Sequence, residues 1–257
     1  MLVLLSCAKT MSAVSKVKVP LTTIPRFQKE AAEIALQMSQ FSVDELERLL
    51  RVNTKIAEEN YKRYQAFHAE TTPELPALLA YTGIVFKRLN PKDFSAEDFG
   101  YAQEHLRLTS FCYGLLRPLD VIRAYRLEGD VVLPELGNQT LFSYWRSRLT
   151  DTFIEDIRSA GGILCNLASD EMKSLFDWKR VESEVRVVTP EFHVWKNGKL
   201  ATIVVYTKMS RGEMTRFILK NKIGNPEELK GFSWEGFEFD ESLSDERKLV
   251  FINGMGE

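Results

Sequence analysis

Three short apolar runs, each broken off by polar residues, constrain this chain more than any bulk property. Leu2–Leu5 leads into Ser6-Cys7-Ala8-Lys9-Thr10. Ile163–Asn166 leads into Leu167-Ala168-Ser169-Asp170-Glu171. Residues 201–206, also apolar and β-branched, lead into Thr207-Lys208-Met209-Ser210-Arg211-Gly212. Each reads as a buried strand followed by a polar exit and a helix start, which is the grammar of an α/β sheet. If the three strands lie parallel, their carboxyl ends meet at one edge, where open α/β sheets bind ligands.

At 257 residues the chain can bury a sizeable core. Net charge is -2, with 34 Lys plus Arg against 36 Asp plus Glu, so no global attraction to nucleic acid exists and a basic site has to be local. Three cysteines, an odd number scattered along the chain, do not make a disulfide framework and fit a reducing, cytoplasmic setting. No apolar run approaches the roughly 20 residues that span a bilayer, so no membrane partner is expected. Residues 1–7 superficially resemble a lipoprotein cleavage site but lack a charged start, and they read as a buried first strand.

A long polar loop runs from Ser6 through Pro20 and Pro25. Helical periodicity then continues to about Leu79, with a capping box at Ser42 to Glu45 and a helix restart at Asn53. Ser95 caps a helix expected to reach Cys112; Gly114 and Pro118 then suggest a hairpin into a second helix. Residues 139–159 form an amphipathic pattern with Trp145, Leu149, Phe153 and Ile157 on one face. Asn197-Gly198 signals a hairpin between residues 185–195 and 200–206, and Pro190 suggests an irregular first strand. Residues 226–229 read as a short helix, and residues 237–239 and 249–251 as a closing hairpin. With no repeat and no linker, the expectation is one domain over residues 1–257. It is an α/β domain, a mixed sheet surrounded by helices.

The three exits bring together Ser6, Lys9, Thr10, Asn166, Ser169, Lys208 and Arg211, a set of cations and hydroxyls suited to phosphate or another anion. The competing reading is that any α/β protein has such residues at its strand ends. Glu128 and Glu171 are candidates for general acid or base, or else neutralise neighbouring cations. The segment from Tyr113 to Arg126 presents Arg117, Arg123, Tyr125 and Arg126, either as a phosphate-contacting helix–hairpin–helix or as a packed corner. Lys55, on the helix after Asn53, is a further basic candidate. His68, His105 and His193 sit on separate elements without ligand spacing, so neither a protein-held metal nor a cofactor is expected. Cys7 and Cys165 stand at strand ends near cations, either as reactive thiols or as small buried residues.

Taken together, several motifs resemble the YaaA family of peroxide stress proteins. They are Ser6-Cys7-Ala8-Lys9-Thr10, Tyr113-Gly114-Leu115-Leu116-Arg117-Pro118-Leu119-Asp120 and Tyr125-Arg126-Leu127-Glu128. Asn166-Leu167-Ala168-Ser169-Asp170-Glu171, then Lys208 with Arg211-Gly212 and Met214, and finally Leu229-Lys230-Gly231-Phe232 complete the set. They run in family order across nearly the whole chain. The resemblance implies an unusual single-domain fold with a helix–hairpin–helix element and a basic cleft. It implies DNA binding through backbone contacts without sequence preference, and protection against hydrogen peroxide with lowered free intracellular iron. The hairpin element is expected at residues 108–122, with residues 218–231 as rival. The alternative is an enzyme acting on a nucleotide, nucleic acid or small anionic metabolite, with a nucleotide or phosphate as ligand.

The chain departs from the family pattern at four places. Cys7 replaces proline, Met172 replaces a tyrosine, Gly129 replaces a methionine, and Thr207-Lys208-Met209-Ser210 replaces an alanine-lysine-lysine-alanine run, dropping one cation. Anion binding survives these changes better than strong DNA affinity.

Overall fold

Leu2–Leu5 is apolar throughout and forms strand β1, buried on both faces. The computed structural model describes residues 1–196 and 198–254. After a long loop come α1 (Gln28–Met38), α2 (Val43–Leu50) and α3 (Thr54–Ala66), the last two capped by Ser42 and Asn53 as their sequences require. Then follow β2 (Leu75–Pro76), α4 (Ala77–Ala80), α5 (Ile84–Leu89) and α6 (Ala96–His105), whose N-terminus carries the Ser95–Asp98 capping box. Strands β3 (Leu106–Ser110), β4 (Gly114–Leu116) and β5 (Val121–Ile122) lead to the small pair β6 (Val132–Leu133) and β7 (Gln139–Thr140). Helix α7 (Leu141–Ser159) buries Trp145, Leu149, Phe153 and Ile157, the face expected from its pattern. The chain continues with β8 (Ile163–Asn166), α8 (Asp170–Lys173), α9 (Trp178–Glu184), β9 (Arg186–Lys196) and β10 (Lys199–Ala201). It finishes with α10 (Val204–Asn221), β11 (Phe237–Asp240) and β12 (Lys248–Asn253).

The main sheet runs β11-β12-β9-β8-β1-β3-β4, with β10 on β9. Its centre, from β12 to β3, is parallel, while β4, β10 and β11 are antiparallel additions. The fold is therefore mixed α/β, with helices around a mostly parallel sheet and one core. From β1 the chain builds outward to β3, then returns to place β8 on the opposite side of β1. The gap beyond the carboxyl ends of β1 and β8 is thus a topological switch point, where the flanking loops part and leave a crevice.

Four expectations change. Residues 201–206 are not a central strand: β10 ends at Ala201 and α10 begins at Val204, so Lys208, Ser210 and Arg211 sit within a helix. Val204, Val205 and Tyr206 are 65%, 46% and 42% exposed, so no burial rewards their strand propensity. Downstream, Met214, Thr215, Ile218 and Leu219 are buried, and Gly212 packs so closely that a Cβ there would lie 2.3 Å from the Val85 carbonyl oxygen. That packing fixes the helix and carries its first turn along.

The helix from Ser95 stops at His105 rather than Cys112, because residues 106–108 pair in parallel with β1. Residues 108–122 are consequently strands and turns, with Gly114 at φ +70° in the β3–β4 hairpin, and no helix–hairpin–helix lies there. The rival, residues 218–231, comprises the end of α10, a turn with Lys222 at φ 54°, and a 3-10 helix over Pro226–Gly231 capped by Asn225.

The expected hairpin flanks pair as β9 and β10, while Asn197 itself lies outside the described residues. Pro190 does not interrupt β9. Thr189 donates its N–H to Arg247 on the β12 side, so the position of the missing Pro190 N–H faces the other edge, where pairing with β8 has ended at Val188.

Candidate functional site

A cavity of about 340 Å³ opens at the switch point beyond β1 and β8. The exit of β1 supplies Ser6, Lys9 and Thr10; the exit of β8 supplies Ser169 and Glu171; Arg126 and the ring of Tyr125 close one side. Lys208 and Arg211, one helical turn apart on α10, close the other. Residues of the three stretches expected to meet therefore line one cavity, although the third stretch is a helix rather than a strand end and Asn166 does not reach the wall.

On the strand side the polar groups are knitted together. Ser6 Oγ accepts the Ser169 N–H at 2.9 Å and lies 3.3 Å from Ser169 Oγ, tying the two exits. Thr10 Oγ1 donates to the Thr82 carbonyl at 3.1 Å. The Tyr125 hydroxyl lies 2.6 Å from both Ser110 Oγ and the Tyr81 hydroxyl, so only its ring faces the cavity. Lys9 Nζ donates to both oxygens of Glu128, at 2.8 and 3.0 Å, and Arg126 Nη2 stands 3.5 Å from the same carboxylate. Glu128 is thus a neutralising group. Glu171 makes no side-chain hydrogen bond or ion pair among the described residues, which leaves it as the carboxylate free to move a proton.

On the helix side the cations stand alone. Neither Lys208 nor Arg211 has a side-chain hydrogen bond or ion pair among the described residues, and Arg211 Nε is buried without a partner. Burial pulls the Arg211 guanidinium below its ordinary pKa, with Asp170 opposing that by charge alone. Arg126 Nε is likewise buried and unpaired. Four cations thus face two carboxylates, leaving two formal positive charges for an incoming group. Donors of this kind at a partly enclosed mouth suit a dianion such as a phosphate ester.

The rest of the cavity wall is apolar, formed by Ile84, Val85 and Phe86 of α5 together with Phe111, Leu127 and Met172. Ile84, Val85, Phe86 and Phe111 carry no sequence signal of a cavity wall, and Leu127 stands out only as part of the Tyr125–Glu128 motif. Met172 was visible as a departure from the family pattern, and its side chain now contributes apolar surface where a tyrosine would place a hydroxyl.

Four expected residues lie elsewhere. Arg123 pairs with Glu74 at 2.9 Å, away from the cavity lining. Arg117 pairs with Asp120 at 2.8 Å and donates to the Ile24 carbonyl, bracing a turn outside the cavity. Lys55 opens α3 and lines a separate groove of about 740 Å³ with Lys62 and Arg63. Asn166 is buried behind the cavity, where its Oδ1 accepts the Ala168 N–H at 3.2 Å and shapes the exit of β8; its Nδ2 has no partner. Cys165 is buried outside the cavity, whereas Cys7 is half-buried and lines it; desolvation pushes both thiols up to about 12, which opposes thiolate chemistry at neutral pH. Among the described residues no group of three His, Cys, Asp or Glu is placed to hold a metal, and no helix is long and apolar enough to cross a membrane.

Gly129 accounts for another departure from the family pattern. A Cβ there would come within 2.3 Å of the Phe142 ring, which fills the space a longer side chain would need.

A family profile described as peroxide stress protein YaaA matches residues 1–243. A UPF0246 protein of Bacteroides thetaiotaomicron is 98% identical over 257 residues, the whole of both chains. A UPF0246 protein of Phocaeicola vulgatus is 63% identical over 98% of each chain. One from Crocosphaera subtropica is 38% identical, covering 98% of this chain and 100% of its own.

Proposed function

The chain belongs to the peroxide stress protein YaaA family, and we propose that it serves the peroxide stress response by binding a phosphate-bearing ligand in the cavity beyond β1 and β8. The observation that carries this reading is the state of Arg211. Arg211 is half-buried, and its Nε is shut off from solvent with no partner among the described residues, which costs about 1–3 kcal/mol unless an anion compensates it. The other cations of α10 have found partners: Arg216 pairs with Asp93, and Lys220 with Asp98. Only those facing the cavity are without one. Glu171, free of partners, is the group available for proton transfer should the ligand be a substrate.

DNA binding and lowered free iron are the finer proposals that the family resemblance brings. The groove carrying Lys55, Lys62 and Arg63 also carries Glu58 and Glu59, the latter paired with Arg63, so it offers a backbone one net positive charge; its lining residues Ala13 and Ala124 lie beside the loops that build the cavity. A duplex is too wide for a cavity of about 340 Å³, so it presents one phosphate to the mouth while its backbone follows the groove. Iron lowering is then an indirect effect of the bound nucleic acid or nucleotide.

Titration calorimetry with nucleoside monophosphates, beside anisotropy with a labelled duplex at about 50 and 200 mM salt, tests the reading. Loss of phosphate-ester binding in the Lys208→Ala/Arg211→Ala double variant is expected. Unchanged binding in that variant would count against the cavity. A steep salt dependence of duplex affinity, reduced by Lys55→Ala and Lys62→Ala, is the result expected of the DNA proposal.

A further inference from the structure

We infer that the ligand's organic part is a planar aromatic group of nucleobase size, so that the cavity accepts one nucleoside monophosphate unit. This deepens the phosphate reading above and rests on it. An inorganic phosphate takes about the volume of three waters, on the order of 100 Å³. It would leave most of the roughly 340 Å³ unfilled. The unfilled part is not polar space: Ile84, Val85, Phe86, Phe111, Leu127 and Met172 line it, and water against such a wall is unfavourable.

The division of the wall fixes the ligand's polarity. Cations stand on both sides of the cavity, Lys9 and Arg126 opposite Lys208 and Arg211, and apolar side chains of α5 and of the loops make up the remaining wall. A compound charged at one end and apolar at the other satisfies both halves at once. Two aromatic rings belong to this apolar wall. Phe86 is held against Tyr81 with ring centroids 5.4 Å apart, and Phe111 is set edge-on to Phe142 at 5.5 Å and 89°. Both rings are nearly buried, so their orientation is fixed before any ligand arrives, which favours a rigid planar group over a flexible chain. The two excess positive charges match the charge of a monophosphate, whereas a triphosphate would bring more negative charge and more bulk than the site balances.

The same unit occurs free in solution or as one unpaired nucleotide of a strand, and these sources are separable by experiment. Calorimetry with inorganic phosphate, ribose 5-phosphate, hexyl phosphate, the common nucleoside monophosphates and a short single-stranded oligonucleotide tests the inference. At least one nucleoside monophosphate is expected to bind about tenfold or more tightly than ribose 5-phosphate and hexyl phosphate, a difference of about 1.4 kcal/mol. Ile84→Ser, at a partly exposed position, should reduce that advantage over ribose 5-phosphate. Met172→Gln provides a second reading of the same wall if Ile84→Ser fails to fold. An oligonucleotide that outcompetes the free monophosphate assigns the source to a strand, and the reverse assigns it to the free nucleotide; either supports the inference. Equal affinities for all phosphate compounds, or hexyl phosphate binding best, would overturn it while leaving the phosphate seat intact. No binding of any of them would overturn the seat as well.

Discussion

Lys9 and Arg126 on one side of the cavity, and Lys208 and Arg211 on the other, carry the same charges in opposite electrostatic states. The first pair shares Glu128, at 2.8 Å from Lys9 and 3.5 Å from Arg126, and is half neutralised within the fold. The second pair has no carboxylate bonded to it among the described residues, and burial already burdens Arg211. On the proposed reading, the fold closes charge within itself on the strand side and leaves it open to a ligand on the helix side. A residue kept unpaired at a cost is better explained by something that binds it than by the fold it weakens.

Substituting Arg211 tests that contrast most severely. Arg211→Gln is expected to weaken nucleoside monophosphate binding by about 10- to 100-fold, the worth of charged hydrogen bonds of about 1.5–3 kcal/mol. Its melting temperature, followed by circular dichroism, should not fall, because an uncompensated charge has been removed. A large loss of stability would show that Arg211 is a structural residue.

The opposite end of α10 is the control, because there the cations are paired. Asp98 lies under Lys220, at 2.8 Å, and Lys222. Desolvation pushes its carboxyl up, but hydrogen bonds from the two lysines and the Ser95 backbone outweigh this and hold it well below the usual carboxylate range. Asp98→Asn should cost about 1–2 kcal/mol, at the low side for charged hydrogen bonds because both lysines are partly exposed and screened. The Asp98 contribution is present above the unfolded carboxylate pKa near 4 and is lost as pH falls through the depressed folded value. The gap between wild type and Asp98→Asn in urea melts should therefore close at low pH.

Much of this arrangement could be read from sequence. Ser42, Asn53 and Ser95 cap helices because local hydrogen bonding decides such positions, and Leu2–Leu5 and Ile163–Asn166 had no alternative to burial as strands. Residues 201–206 misled because their strand signal is local, whereas the close approach of Gly212 to Val85 that sets the helix comes from 127 residues away in the chain. Residues 106–110 looked like a continued helix for a similar reason, since the β1 edge that recruits them is distant in sequence. The cations of the site were legible by type and position. Their pairing was not, since whether Glu128 or a ligand balances a lysine depends on side-chain reach across separate loops.

The comparison sharpens further with Glu128→Gln, which frees Lys9 and Arg126. Phosphate-ester affinity should rise about 3- to 10-fold at low salt, and the gain should fade as salt screens the exposed Lys9. Lys208→Ala, at an exposed position, should weaken binding only a few-fold and leave stability within about 0.5 kcal/mol. The smallest effect is expected at Cys7. With its thiol pushed up to about 12, alkylation by iodoacetamide in the folded protein should be negligible at pH 7 and rise only in strong alkali. Rapid labelling at neutral pH would instead make Cys7 a peroxide-reactive thiol.

A crystal structure with a bound nucleoside monophosphate measures the central claim most directly. The account predicts phosphate oxygens within hydrogen-bonding distance of Arg211 Nε and of Lys208, with Lys9 still joined to Glu128. A phosphate seated away from the cavity, or Arg211 turned to bond with Asp170 while the ligand is bound, would contradict it.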